Sequence, residues 1–72
     1  MNIVVYTTDC PKCRVLEAKL SKAELEYSAV RDMDTILKIA EKEGFQSAPF
    51  MEVDGKFYDF TSAIKLISNL GA

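Results

Sequence analysis

Within its first thirteen residues the chain changes from the period of a strand to the period of a helix. Ile3-Val4-Val5-Tyr6 is a continuous apolar and largely β-branched run, which predicts a buried strand over residues 2–6, and the polar turn Thr7-Thr8-Asp9 ends it. Pro11 suits the first position of a helix, where the N–H it lacks would be unpaired anyway. From there Cys13, Leu16 and Leu20 share one face, predicting a helix from Pro11 to about Ser21 with Cys13 pointing inward. A strand followed by a helical crossover favours parallel pairing with the next strand of the same sheet.

Glu26-Tyr27-Ser28-Ala29-Val30 alternates and reads as that second strand. Asp32 or Asp34 can then cap a helix bearing Ile36, Leu37, Ile39 and Ala40, with Gly44 as its natural stop. Arg31 and the charged residues Lys38, Glu41, Lys42 and Glu43 read as solvated surface. Ala48 to Val53 and Lys56 to Tyr58 flank Asp54-Gly55, the dipeptide favoured in two-residue hairpin turns, which makes strands three and four antiparallel. Asp59, Thr61 or Ser62 can cap a last helix carrying Ala63, Ile64, Ile67 and Leu70, with Asn69 and Gly71 at its end. The expected fold is α/β, in the order β-α-β-α-β-β-α, with a four-stranded mixed sheet and a single domain over residues 1–72.

At 49% apolar and 28% charged residues the composition suits a soluble globular domain rather than a disordered segment. The net charge of −2 is spread along the chain, leaving no basic stripe to displace counterions, so nucleic acid is not an expected partner. The opening residues carry no signal-peptide pattern and no membrane span, so the chain is expected in the cytoplasm, without membrane attachment and as a monomer.

The only two cysteines are Cys10 and Cys13, in the motif Cys10-Pro11-Lys12-Cys13 between the first strand and the first helix. In a reducing compartment such close spacing argues for a catalytic or metal-binding pair rather than a structural disulfide. With no histidine in the chain, imidazole can be neither base nor ligand. A helix start stabilises a thiolate through its amide dipoles and unpaired N–H groups. Cys10 sits at that mouth, so it reads as the exposed nucleophile of lowered pKa, and Cys13, one turn in against Leu16, as the resolving thiol.

This element order, with Cys10-Pro11-Lys12-Cys13 after strand one and Ala48-Pro49 before strand three, resembles the glutaredoxin family of the thioredoxin superfamily over essentially the whole chain. It is similar to the short redoxins that donate electrons to ribonucleotide reductase. The resemblance implies a thioredoxin-like fold and a dithiol–disulfide exchange enzyme acting on protein or glutathione mixed disulfides, with Cys10 and Cys13 catalytic. It implies no tightly bound cofactor and no metal, glutathione as a co-substrate, and either glutathione or a thioredoxin-type reductase as electron donor. It also implies a cis bond before Pro49, beside the thiols. A substrate groove would be bordered by Tyr6, Thr8, Pro11, Lys12, Ala48 and Pro49, and further by Phe60, Thr61 and Ser62.

One stretch departs from the family pattern. Glutaredoxins typically carry Gly-Gly-x-Asp after strand four, cradling the γ-glutamyl end of glutathione, where this chain reads Asp59-Phe60-Thr61-Ser62. Phe60 adds bulk and Asp59 a like charge toward that carboxylate, so weak glutathione binding is expected, with a reductase at least as good a donor.

Other readings of the same residues compete. Two thiolates suit Cu(I), so a metal carrier is one alternative, although Thr7-Thr8-Asp9 stands where such motifs usually place methionine. A non-catalytic thioredoxin-fold interaction module is another. Tyr6 also fits a strand-end core residue, Lys12 a solvated helix residue, and Thr61 and Ser62 helix caps.

Overall fold

The computed structural model describes residues 2–8, 10–46 and 48–71. Its elements are β1 (Ile3–Tyr6), α1 (Pro11–Lys22), β2 (Ser28–Val30), α2 (Met33–Glu43), β3 (Phe50–Val53), β4 (Lys56–Tyr58) and α3 (Phe60–Gly71). The four strands form one open mixed sheet in the spatial order β2-β1-β3-β4. β1 runs parallel to β2, with Val5 beside Ala29, and antiparallel to β3, with Tyr6 beside Phe50. β3 and β4 form the hairpin, turned by Asp54 and Gly55 at φ 50° and 88°, the left-handed pair a tight two-residue turn requires.

Alternation along β1 divides the molecule into layers. Ile3 and Val5 face α1 and α3, where Leu16, Leu20, Ala63 and Ile67 close over Met51 and Val53. Tyr6 faces the other way, into a smaller cluster with Ile36, Ala40 and Phe50 beneath α2. Leu16 and Leu20 have no solvent exposure, and burying each stabilises the fold by about 1.5–3 kcal/mol before cavity effects.

Local chemistry sets the helix ends. Asp32, rather than Asp34, caps α2, its carboxylate accepting the Thr35 N–H at 3.2 Å, and Gly44 stops the helix at φ 77°. Asp59, rather than Thr61 or Ser62, caps α3 by accepting the Ser62 N–H at 2.8 Å. α3 runs to Gly71, the end read from Asn69 and Gly71 in the sequence. α1 ends without a glycine: Glu24 takes φ 58° while Leu25 N–H returns to the Leu20 carbonyl at 3.0 Å.

Strand two is shorter than its sequence pattern, beginning at Ser28 instead of Glu26. Tyr27 is engaged elsewhere, donating its hydroxyl to Glu17 of α1 at 3.3 Å, and Arg31, read as solvated surface, meets the same carboxylate at 3.3 Å. Strand three begins at Phe50, leaving Ala48 and Pro49 in the loop before it. No helix among the described residues is long and apolar enough to cross a membrane.

Candidate active site around Cys10 and Cys13

The site lies where β1 ends and α1 begins. Pro11 fills the first turn of α1, and Cys10 is the N-cap, with extended backbone at φ −75° and ψ 165°. Its sulfur accepts the Cys13 N–H at 3.2 Å, so a side chain that could attack a substrate also satisfies one of the orphan donors of the helix start. Both cysteines are free thiols, Cys10 half-buried and Cys13 fully buried.

The inward turn of Cys13 follows from the helical spacing that aligns it with Leu16 and Leu20. Its sulfur is surrounded by donors from the end of β1. The Thr8 N–H reaches it at 3.3 Å and the Thr8 hydroxyl stands at 3.8 Å. Burial pushes this thiol up, but hydrogen bonds from the Cys10 side chain, the Thr7 hydroxyl and the Thr8 and Cys10 backbones outweigh burial and bring it down to about 7. The hydrogen-bonding network centres on Cys13 rather than on Cys10 at the helix start, because the strand end points its donors inward.

Reached from the cysteine motif through Lys12, an open cleft of about 430 Å³ is lined by Lys12, Ala48, Pro49, Asp59, Phe60 and Thr61, among others, though by neither cysteine. The Ala48-Pro49 peptide bond is cis. The cleft therefore gathers five residues singled out in the sequence as groove residues, Lys12, Ala48, Pro49, Phe60 and Thr61, from three separate segments. The Lys12 ammonium lies over the Phe60 ring, 5.7 Å from its centroid, tying the cysteine motif to the start of α3.

The other expected groove residues lie elsewhere. Tyr6 stacks on Phe50 at 4.9 Å in the second core and donates its hydroxyl to Glu52 at 2.9 Å, so it takes its core reading rather than lining the cleft. Burial, reinforced by the Glu52 carboxylate that accepts its proton, pushes the Tyr6 hydroxyl up to about 12. Pro11 and Thr8 are exposed at the rim of the cysteine motif. Ser62 lies in the first turn of α3 and lines a separate open depression with Phe57 and Lys65. Asp9, read as a turn former, lies outside the described residues.

Thr7 was missed as a site residue because a polar residue after an apolar run reads as turn. The signal for it is the period of two: Ile3 and Val5 point toward α1, and Thr7 continues that row to the sulfur. Phe45 and Gln46, which also line the cleft, follow Gly44 and were not singled out. Among the described residues, no group of three or more histidine, cysteine, aspartate or glutamate side chains is placed to hold a metal ion. No protein-family model matches the chain, and no curated protein matches it in sequence.

Proposed function

We propose that this chain is a glutaredoxin-like thiol–disulfide oxidoreductase with a thioredoxin-like fold, working in the cytoplasm as a dithiol electron carrier. The observation that carries the reading is the pairing at the α1 start: Cys10 reachable at the N-cap, its sulfur receiving the Cys13 N–H at 3.2 Å, with the second thiol buried one turn behind. Access assigns the roles. A substrate disulfide can reach the half-buried Cys10 sulfur, while the Cys13 sulfur meets no solvent.

In the first step the Cys10 thiolate attacks one sulfur of the substrate disulfide. A bond forms between Cys10 and that sulfur, the substrate S–S bond breaks, and the departing thiolate takes up a proton. In the second step the Cys13 thiolate attacks the Cys10 sulfur, closing the Cys10–Cys13 disulfide and releasing the second substrate thiol. Proximity makes this attack effectively unimolecular. The substrate gains two electrons and the protein loses them, and two thiols of a donor return them. The cleft beside the motif supplies a binding surface, with Lys12 as its cation.

Asp59 and Phe60 at the α3 start favour a protein reductase over glutathione as donor, since their charge and bulk oppose a γ-glutamyl carboxylate. Ribonucleotide reductase is a substrate of the matching class.

The test is reduction of a model protein disulfide by the parent, Cys10→Ser and Cys13→Ser, with glutathione and with a flavin-dependent thioredoxin reductase as alternative donors. Cys10→Ser should be inactive, and Cys13→Ser should accumulate a mixed disulfide on Cys10. Stoichiometric, tight Cu(I) binding by a parent that does not turn over would replace this reading with a metal carrier. Neither turnover nor metal binding would leave an interaction module.

A further inference from the structure

The cleft that Lys12 opens onto adjoins a second open depression of about 430 Å³, and Phe45 and Asp59 line both. The joint surface carries on past the α3 start to Lys56 and Tyr58 of β4 and Lys65 of α3. Charge is unevenly placed along it. Among the described residues three lysines line it, Lys12 at the thiol end and Lys56 and Lys65 at the far end, against the one carboxylate of Asp59, in a chain of net charge −2. That carboxylate is already engaged. It accepts the Ser62 N–H at 2.8 Å at the positive end of α3, a bond that holds it below the usual aspartate range. The far end is therefore a local concentration of cation on an acidic protein.

β4 is also an edge of the sheet, with no strand among the described residues beyond it in the order β2-β1-β3-β4. An extended polypeptide can add to such an edge by main-chain hydrogen bonds while its alternate side chains meet the surface. Lysine on an edge repels a second copy presenting the same edge, and Lys56 is exposed there, its ammonium 5.7 Å from the centroid of the Tyr58 ring. The same charge attracts a strand of opposite sign. Resting on the oxidoreductase reading, we propose that the depression formed by β4 and α3 is a docking site for an acidic, extended segment of the disulfide-bearing protein substrate. Lys56 and Lys65 are its cations and the β4 edge is its backbone partner. Length distinguishes this occupant from glutathione: a tripeptide held at the α3 start meets the charge of Asp59, whereas a longer segment runs past it to both lysines.

The experiment uses peptides whose one cysteine is a mixed disulfide with a coloured aromatic thiol, joined on either side through a Gly-Ser spacer to a run of glutamates, glutamines or lysines. The Cys10 thiolate bonds to the peptide sulfur and the aromatic thiolate leaves, being the less basic of the two, so its colour gives the second-order rate constant. At low ionic strength the glutamate peptide should react about three- to tenfold faster than the glutamine peptide, and the two should converge to within about twofold in ~1 M salt. The lysine peptide should be slowest. In Lys56→Glu/Lys65→Glu the order should reverse, with the lysine peptide leading. A fold merely weakened by the substitutions slows all three peptides and reverses nothing.

A parent that reacts with the three peptides at equal rates at low ionic strength, or a charge-reversed protein that keeps the parental order, overturns the docking site while leaving the oxidoreductase reading intact. A parent no faster than a free alkyl thiol toward every peptide overturns that reading instead, and magnetic resonance of the parent then decides the docking site. A cysteine-free glutamate peptide should shift the backbone amides of Lys56, Phe57, Tyr58 and Lys65, and the glutamine peptide should leave them in place. Amides silent to the glutamate peptide, or shifted equally by an oligodeoxynucleotide of the same charge, reject an acidic polypeptide as the occupant.

Discussion

The reduced protein should become more stable as pH rises from about 6 to about 9, and Cys13 should be the reason. Its thiol is held at about 7 in the folded chain against an ordinary value of 9.0. A folded pKa below the unfolded one means that the thiolate is favoured by folding. The stabilisation is thus fully present above the unfolded value and disappears as pH falls through 7. Two units at about 1.4 kcal/mol each set a ceiling near 3 kcal/mol. Because some hydrogen bonds persist to the neutral thiol, about 1–2 kcal/mol is expected. Tyr6 and Tyr27 do not confound the window: both are raised, so their contribution is intact below the unfolded tyrosine value and is lost only at higher pH. The assay is urea unfolding at each pH under a phosphine reductant, comparing the parent with Cys13→Ala. The cavity left by the substitution lowers stability by a pH-independent amount, so only the change in the gap between the curves matters. Parallel curves would refute the account of the buried thiolate, and a gap that widens toward acid would reverse its sign.

Leu16→Ala, which opens a cavity between α1 and the sheet at a residue with no exposure, should cost about 2–5 kcal/mol, read as a lowered urea midpoint with unchanged slope. Glu24→Gly should stabilise by about 0.5–1 kcal/mol, because Glu24 holds φ 58° at the end of α1, and thermal melting should rise by a few degrees. Asp59→Ala should remove the α3 cap and cost about 1 kcal/mol in chemical unfolding. In Asp59→Gly/Phe60→Gly, glutathione-coupled turnover should rise relative to the parent; a parent already saturating at low glutathione, and unchanged by the pair, would show that these residues do not oppose the tripeptide.

Much of this arrangement could be read from local pattern. The continuous run at Ile3 to Tyr6, Pro11 and the Cys13, Leu16, Leu20 spacing determine a strand, a helix start and an inward thiol, each through interactions only a few residues long. Asp54-Gly55 determines its turn for the same reason. What escaped depends on partners far away in the chain. Nothing near Tyr27 reveals that Glu17 will claim its hydroxyl and shorten β2. The choice between Asp32 and Asp34, or among Asp59, Thr61 and Ser62, turns on which carboxylate or hydroxyl meets a free N–H, and composition at a helix start does not distinguish them. Tyr6 follows the alternation of its strand into the second core. Thr7 obeys the same alternation, but its polarity hid it.

The antiparallel register of β1 with β3 has a consequence for how the protein comes into being. The Tyr6–Glu52 hydrogen bond across these strands joins residues 46 positions apart, so the cysteine motif and the loop carrying Pro49 meet only when that long span has closed. Closing it costs about 3 kcal/mol of chain entropy before any contact is gained. A chain emerging during synthesis therefore presents both thiols well before their cleft exists, open to whatever oxidant is at hand. Docking of β3 is the event that brings the Pro49 loop to the cysteine motif, so completion of the cleft is kinetically tied to the slow, non-local step of folding.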